Sequence, residues 1–168
     1  DPSRLVGIHF FNPVAMMPLV EVVAADGADP AMVQAACAFV RQIDKLPLPV
    51  KSEPGFLVNA VLAPYMLEAM RAVDEGISPE TIDEAMLAFG MPMGPIELVD
   101  AVGLDIAVAA GKQLSGGAAA PHCLLARTDK GQLGKKTGQG FYAWSAGKAQ
   151  KGGAGAPPAG LAARLAKP

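Results

Sequence analysis

Near Ser52 the period of the hydrophobic pattern changes, and that change limits what the chain can become. Before it, apolar residues come in short blocks, Leu5 to Phe11 closed by Asn12-Pro13, and Leu-Val-Glu-Val-Val from Leu19 to Val23. Blocks of that length, bounded by turn residues, read as buried strands. Asp29 and Pro30 mark the cap and first residue of a helix, with Met32, Ala35, Ala36, Phe39, Val40 and Ile43 as its apolar face. In Leu46-Pro47-Leu48-Pro49-Val50 the prolines remove two backbone donors, so this segment is an edge strand or an extended connector.

Beyond Ser52 the spacing is helical. From Pro54 a stripe of Val58, Val61, Leu62, Tyr65, Met66, Ala69, Met70 and Val73 runs to a stop at Gly76. Ser78 caps a second helix that begins with Pro79, faces Ile82, Ala85, Met86 and Phe89 inward, and ends at Gly90. Pro95 opens a third, Gly103 interrupts it, and a fourth runs from about Asp105 to Leu114. Ser115 to Pro121 is a small-residue loop, and Leu124 to Thr128 is a short helical turn. From Ser145 onward Gly, Ala, Lys and Pro dominate, a composition that buries too little apolar surface to offset ordering entropy. The expectation is a mainly α chain: residues 1–51 the last strands of an α/β domain, 52–144 a helical domain, and 145–168 a flexible linker and tail.

The net charge of −2 gives no electrostatic case for nucleic acid or an anionic membrane. No apolar run approaches the roughly 20 residues that cross a bilayer. Cys37 and Cys123 lie far apart with no CxxC pair, so neither a disulfide nor a metal site is expected, and a reducing cytoplasm is the default. The chain opens on Asp1-Pro2-Ser3-Arg4 with neither an initiator Met nor a signal peptide, which reads as a piece of a longer protein.

His9 is the histidine of chemical interest. A lone His inside an apolar strand is commonly a core residue bonded to backbone. An antiparallel hairpin centred near Ala15 would instead set His9 opposite Glu21, about 5 Å away on the same face. A buried carboxylate needs a partner, and a carboxylate holding one ring N–H leaves the other nitrogen as a general base near neutral pH. Asn59 stands in the long helix on its apolar side, where Asn is a poor helix former; it either bonds something buried or touches a ligand. Lys135-Lys136-Thr137 does not fit GxxxxGK[ST] and reads as a structural turn, and no GxGxxG occurs in the chain.

Five ordered blocks resemble the 3-hydroxyacyl-CoA dehydrogenase family over about residues 5–144. They are Gly7-Ile8-His9-Phe10-Phe11-Asn12-Pro13, Met17-Pro18-Leu19-Val20-Glu21-Val22-Val23, Pro54-Gly55-Phe56-Leu57-Val58-Asn59, Met93-Gly94-Pro95-Ile96-Glu97-Leu98-Val99-Asp100 with Gly103-Leu104-Asp105, and Gly134-Lys135-Lys136-Thr137-Gly138-Gln139-Gly140-Phe141-Tyr142. Phe89-Gly90-Met91-Pro92-Met93-Gly94-Pro95 is most similar to the multifunctional fatty-acid oxidation members. The resemblance implies a Rossmann domain's final strands joined to a helical dehydrogenase domain, NAD as cofactor, an acyl-CoA substrate, and a homodimer through helices of the region 54–114. It implies that His9 and Glu21 are catalytic, that Asn59 binds substrate, and that Asn12 lies beside the nicotinamide.

Three departures accompany it. The family's catalytic Ser and its glycine-rich dinucleotide loop would both precede residue 1, and Ala60 stands where many relatives carry Arg. The isolated chain is therefore expected neither to bind NAD appreciably nor to transfer hydride. The rival readings are a dehydrogenase for another acyl-CoA, such as hydroxybutyryl-CoA, and a non-catalytic scaffold of the same fold.

Overall fold

The computed structural model describes residues 1–114 and 119–167, which form two compact units, the first ending at Ala60 and the second beginning at Val61. In the first unit β1 (Val6–Phe10) pairs antiparallel with β2 (Leu19–Ala24), and β2 pairs parallel with β3 (Leu46–Lys51). The parallel pair needs a crossover, supplied by α1 (Pro30–Gln42), whose first turn is capped by Asp29 on the Ala31 amide at 2.8 Å. β3 tolerates its prolines because it lies at the sheet edge. The Leu46 amide donates to the Pro18 carbonyl at 2.8 Å, so alternate amides face β2 while Pro47 and Pro49 fall on the outward side.

Val20, Val22, Cys37 and Val40 form this unit's core, with Val6, Phe10, Val33 and Ala36 packed against it. The buried face of α1 is thus 33, 36, 37 and 40. Phe39 and Ile43, expected inward, are 47% and 38% exposed. An Ala-rich helix is apolar nearly all round, so its period does not single out one face; the small and β-branched residues are the ones that pack here.

α2 (Val58–Asp74) starts four residues after Pro54, because Gly55 and Phe56 both adopt left-handed backbone. Tyr65, Ala69, Met70 and Ala72 are its buried residues, while Val61 faces outward. Gly76 stops the helix in left-handed conformation and returns Ile77 to the Ala72 carbonyl at 3.1 Å. α3 (Pro79–Phe89) begins at Ser78, whose hydroxyl accepts from the Thr81 amide at 3.3 Å and lies 2.8 Å from the Thr81 hydroxyl. It ends in a Schellman motif, with the Gly90 amide on the Leu87 carbonyl and the Met91 amide on that of Met86, each at 3.0 Å. This reversal explains why Phe89, expected inward, is 57% exposed: Met91 packs on the core beyond the helix end in its place.

α4 (Pro95–Val102), α5 (Leu104–Leu114) and α6 (His122–Thr128) follow. Of the loop expected from Ser115 to Pro121, residues 115–118 lie outside the described residues. Two aspartates with no exposed surface organise this unit. Asp83 accepts from the amides of Ile96 (2.8 Å) and Glu97 (3.1 Å), which caps α4, and from the Tyr142 hydroxyl (2.8 Å). Asp100 accepts from the amides of Phe141 and Tyr142, both at 2.9 Å, and from the Trp144 indole at 3.0 Å. A Cβ at Gly94 would overlap Asp83, and one at Gly134 or Gly140 would overlap Asp100.

The segment from Ser145, expected to be a flexible linker and tail, carries regular structure. β4 (Ala143–Ser145) and β5 (Lys148–Gln150) form a hairpin, and α7 (Leu161–Leu165) buries Leu161 and Leu165 in the helical core. Lys151 reaches Asp83 at 2.9 Å and Glu97 at 2.7 Å, and Arg164 reaches Glu68 at 2.7 Å and Glu75 at 2.6 Å. Average composition conceals two leucines four residues apart, which occupy one helical face.

Candidate active site

β1 and β2 set His9 directly across from Glu21. Non-adjacent strand positions on one face place both side chains together, and His9 Nδ1 lies 2.9 Å from Glu21 Oε2. Glu21 is fully buried, whereas the His9 side chain is 35% exposed. The other carboxylate oxygen, Oε1, accepts from the amides of Leu57 (3.0 Å) and Val58 (2.9 Å) at the start of α2. Burial pushes the Glu21 carboxyl up, but the Val58 amide, the His9 bond and the Leu57 amide outweigh it and hold the group below its ordinary value. Glu21 is therefore an ionised acceptor at neutral pH, and His9 must donate to it from Nδ1. A neutral His9 then carries its lone pair on Nε2.

Two aromatic rings flank the imidazole. Phe11 lies edge-on with ring centroids 4.9 Å apart, and Phe56 is tilted at 5.5 Å. Sequence reasoning did not find Phe56 or the two amides after it. Glu21 and Val58 are 37 residues apart, and only a compact first unit joins them. Lys45 was missed as well: its ammonium donates to the carbonyls of Val14 (2.7 Å) and Met17 (2.9 Å), tying down the loop that follows Asn12.

The two asparagines stand apart from this network. Asn12 is exposed after β1, and Asn59 is exposed in the first turn of α2 rather than on its apolar side. Among the described residues no hydrogen bond joins either side chain to His9 or Glu21. Lys135–Thr137 forms a 3-10 turn on the surface with Lys136 paired to Asp105 at 2.6 Å. Among the described residues no helix is long and apolar enough to cross a membrane.

The chain is similar to known proteins in sequence and in fold. The profile of the 3-hydroxyacyl-CoA dehydrogenase NAD binding domain matches residues 1–53, and that of the 3-hydroxyacyl-CoA dehydrogenase C-terminal domain matches residues 55–144. The fatty acid oxidation complex subunit alpha of Shewanella sp. (strain ANA-3) is 41% identical over 150 residues, covering 87% of this chain and 21% of that protein. The chain thus spans about a fifth of the length of such curated relatives. Among solved structures, FadB2 of M. tuberculosis superposes with a TM-score of 0.79 at 38% identity, covering 86% of this chain and 53% of its own. The 3-hydroxybutyryl-CoA dehydrogenase of Escherichia coli K12 gives 0.77 at 38% identity, covering 85% and 32%. With one 3-hydroxyacyl-CoA dehydrogenase profile matching residues 1–53 and the other residues 55–144, the chain belongs to the 3-hydroxyacyl-CoA dehydrogenase family.

Proposed function

We propose that this chain supplies the proton-transfer pair of an NAD-dependent 3-hydroxyacyl-CoA dehydrogenase, an oxidoreductase that converts 3-hydroxyacyl-CoA to 3-oxoacyl-CoA in fatty-acid β-oxidation. The observation that carries this reading is the bond from His9 Nδ1 to the buried Glu21 carboxylate. It leaves Nε2 free to take the C3 hydroxyl proton as the C3–H bond breaks and the C–O bond becomes a carbonyl. Glu21 fixes the tautomer and stabilises the imidazolium that results. Asn59, exposed in the first turn of α2, offers a donor and an acceptor to the acyl group of the substrate.

Bound NAD supplies the hydride acceptor at its nicotinamide ring. Asn12, exposed just after the His9 strand, would hold the nicotinamide end of the cofactor. The chain contains no GxGxxG, the loop that approaches the pyrophosphate of a dinucleotide.

The relative named as a subunit of a fatty acid oxidation complex supports a multifunctional protein. Structures named for 3-hydroxybutyryl-CoA make short acyl chains part of the substrate range to be assayed. Exposed Val61, Leu87, Phe89, Val102 and Ile106 are apolar side chains that a homodimer through helices of the region 54–114 would cover. Free, buried Cys37 and Cys123 accord with a reducing cytoplasm.

The test is NADH formation by the full-length protein across 3-hydroxyacyl-CoA chain lengths. His9→Gln should lower kcat by about 10²- to 10⁴-fold, the usual contribution of general base catalysis. Wild-type protein without turnover on any 3-hydroxyacyl-CoA, or unimpaired turnover by His9→Gln, would overturn the proposal.

A further inference from the structure

Among the described residues Phe56 is one of three non-glycine residues with positive φ, at 49°, and it follows Gly55 at 78°. Left-handed backbone strains any L side chain, and such strain persists where the surroundings over-determine it. Glycine would make the same turn without strain, so the turn alone does not account for a phenylalanine here. Its backbone and its ring have different partners. The backbone reversal, closed by the Phe56 amide on the Glu53 carbonyl at 2.9 Å, aims the next two amides at Glu21 Oε1. The ring lies 5.5 Å from the His9 ring at an angle of 59°, with Phe11 also against the imidazole. His9 is thus held by Glu21 at one nitrogen and by aromatic surfaces on its ring.

We propose that Phe56 is a positioning residue for the His9–Glu21 pair, its strained turn presenting two amides to the carboxylate while its ring fixes the plane of the imidazole. The inference rests on the catalytic reading of His9, but the geometric part of it can be read without substrate. A fixed plane keeps Nδ1–H on Glu21 and presents Nε2 in one direction. Without the ring, the imidazole gains rotational freedom and the tautomer preference weakens.

The experiment is nitrogen-15 NMR of the His9 ring in this chain, for wild type, Phe56→Gly, Phe56→Leu and Phe56→Tyr. Wild type should show the Nδ1–H tautomer. Phe56→Gly relieves the backbone strain and keeps the amides, yet should shift the tautomer balance; Phe56→Leu should do so to a lesser degree. Phe56→Tyr should restore the wild-type pattern. In the full-length enzyme Phe56→Gly should lower kcat roughly 10- to 100-fold with KM little changed, as misorientation does. Unchanged His9 nitrogen chemical shifts in Phe56→Gly would overturn the proposal and leave Phe56 a turn residue. Loss of the tautomer in the chain, together with a wild-type full-length protein that has no turnover, would overturn the proposed activity while supporting the positioning of His9.

Discussion

A carboxylate with no exposed surface is stable only when the lone pairs turned inward find donors. Glu21 meets that condition with His9 on one oxygen and two amides on the other. Its pKa is lowered in the fold from an ordinary value of 4.5, which sets the sign of a pH effect. Above that value the group is ionised in both folded and unfolded chains, and its stabilisation is fully present. As pH falls below it, the unfolded chain takes up the proton first, and the stabilisation drains away until the folded group protonates too. Glu21→Gln should therefore cost about 1–3 kcal/mol near neutral pH, and the gap to wild type should narrow as pH falls. Urea titrations of both proteins between about pH 3 and pH 6 measure it; a gap that does not change with pH would exclude an ionised Glu21 as its source.

At the scale of elements, three of the family's motif glycines are explained by the two buried aspartates. Asp83 draws the start of α4 onto α3, and Asp100 draws the 141–144 segment onto α4. Gly94, Gly134 and Gly140 line these contacts with no room for a Cβ. Gly111, in α5, has open space around the corresponding position and no left-handed backbone. The same substitution should consequently act in opposite directions. Gly94→Ala should destabilise the chain by about 1–3 kcal/mol through overpacking. Gly111→Ala should stabilise it by about 0.5–1 kcal/mol by raising helix propensity and restricting the unfolded chain. Thermal and urea midpoints decide both signs, and a neutral Gly94→Ala would mean that Asp83 can yield without loosening α4.

At the scale of the whole molecule, the segment after Ser145 completes the helical core. Leu165 is fully buried and Leu161 is 4% exposed. Lys151 provides a positive charge beside the buried Asp83, which would otherwise keep only its neutral donors. Leu165→Ala should cost about 2–5 kcal/mol, as large-to-small core changes do. Limited proteolysis should leave 148–165 intact in wild type and cut there early in the variant. Early cleavage of this segment in the wild type would mean that α7 is detached in solution.

Much of this organisation is local, and the sequence by itself determined it. Helix starts at Asp29 and Ser78, stops at Gly76 and Gly90, and the outward prolines of β3 depend on backbone geometry within a turn or a single strand pair. The opposition of His9 and Glu21 belongs with them, because strand alternation and a turn centred near Ala15 are enough to set the register. Tertiary structure decided the rest. The Glu21 bonds to Leu57 and Val58, the tie from Asp83 to Tyr142 across 59 residues, and the docking of Leu161 and Leu165 all require elements to meet that no local period specifies. The inward face of α1 was hidden for a related reason: when most of a helix is apolar, its neighbours choose the buried side. Composition did not point to the burial of Leu161 and Leu165, because burial depends on where two leucines lie on a helix, whereas an average over Gly, Ala and Pro carries no positions.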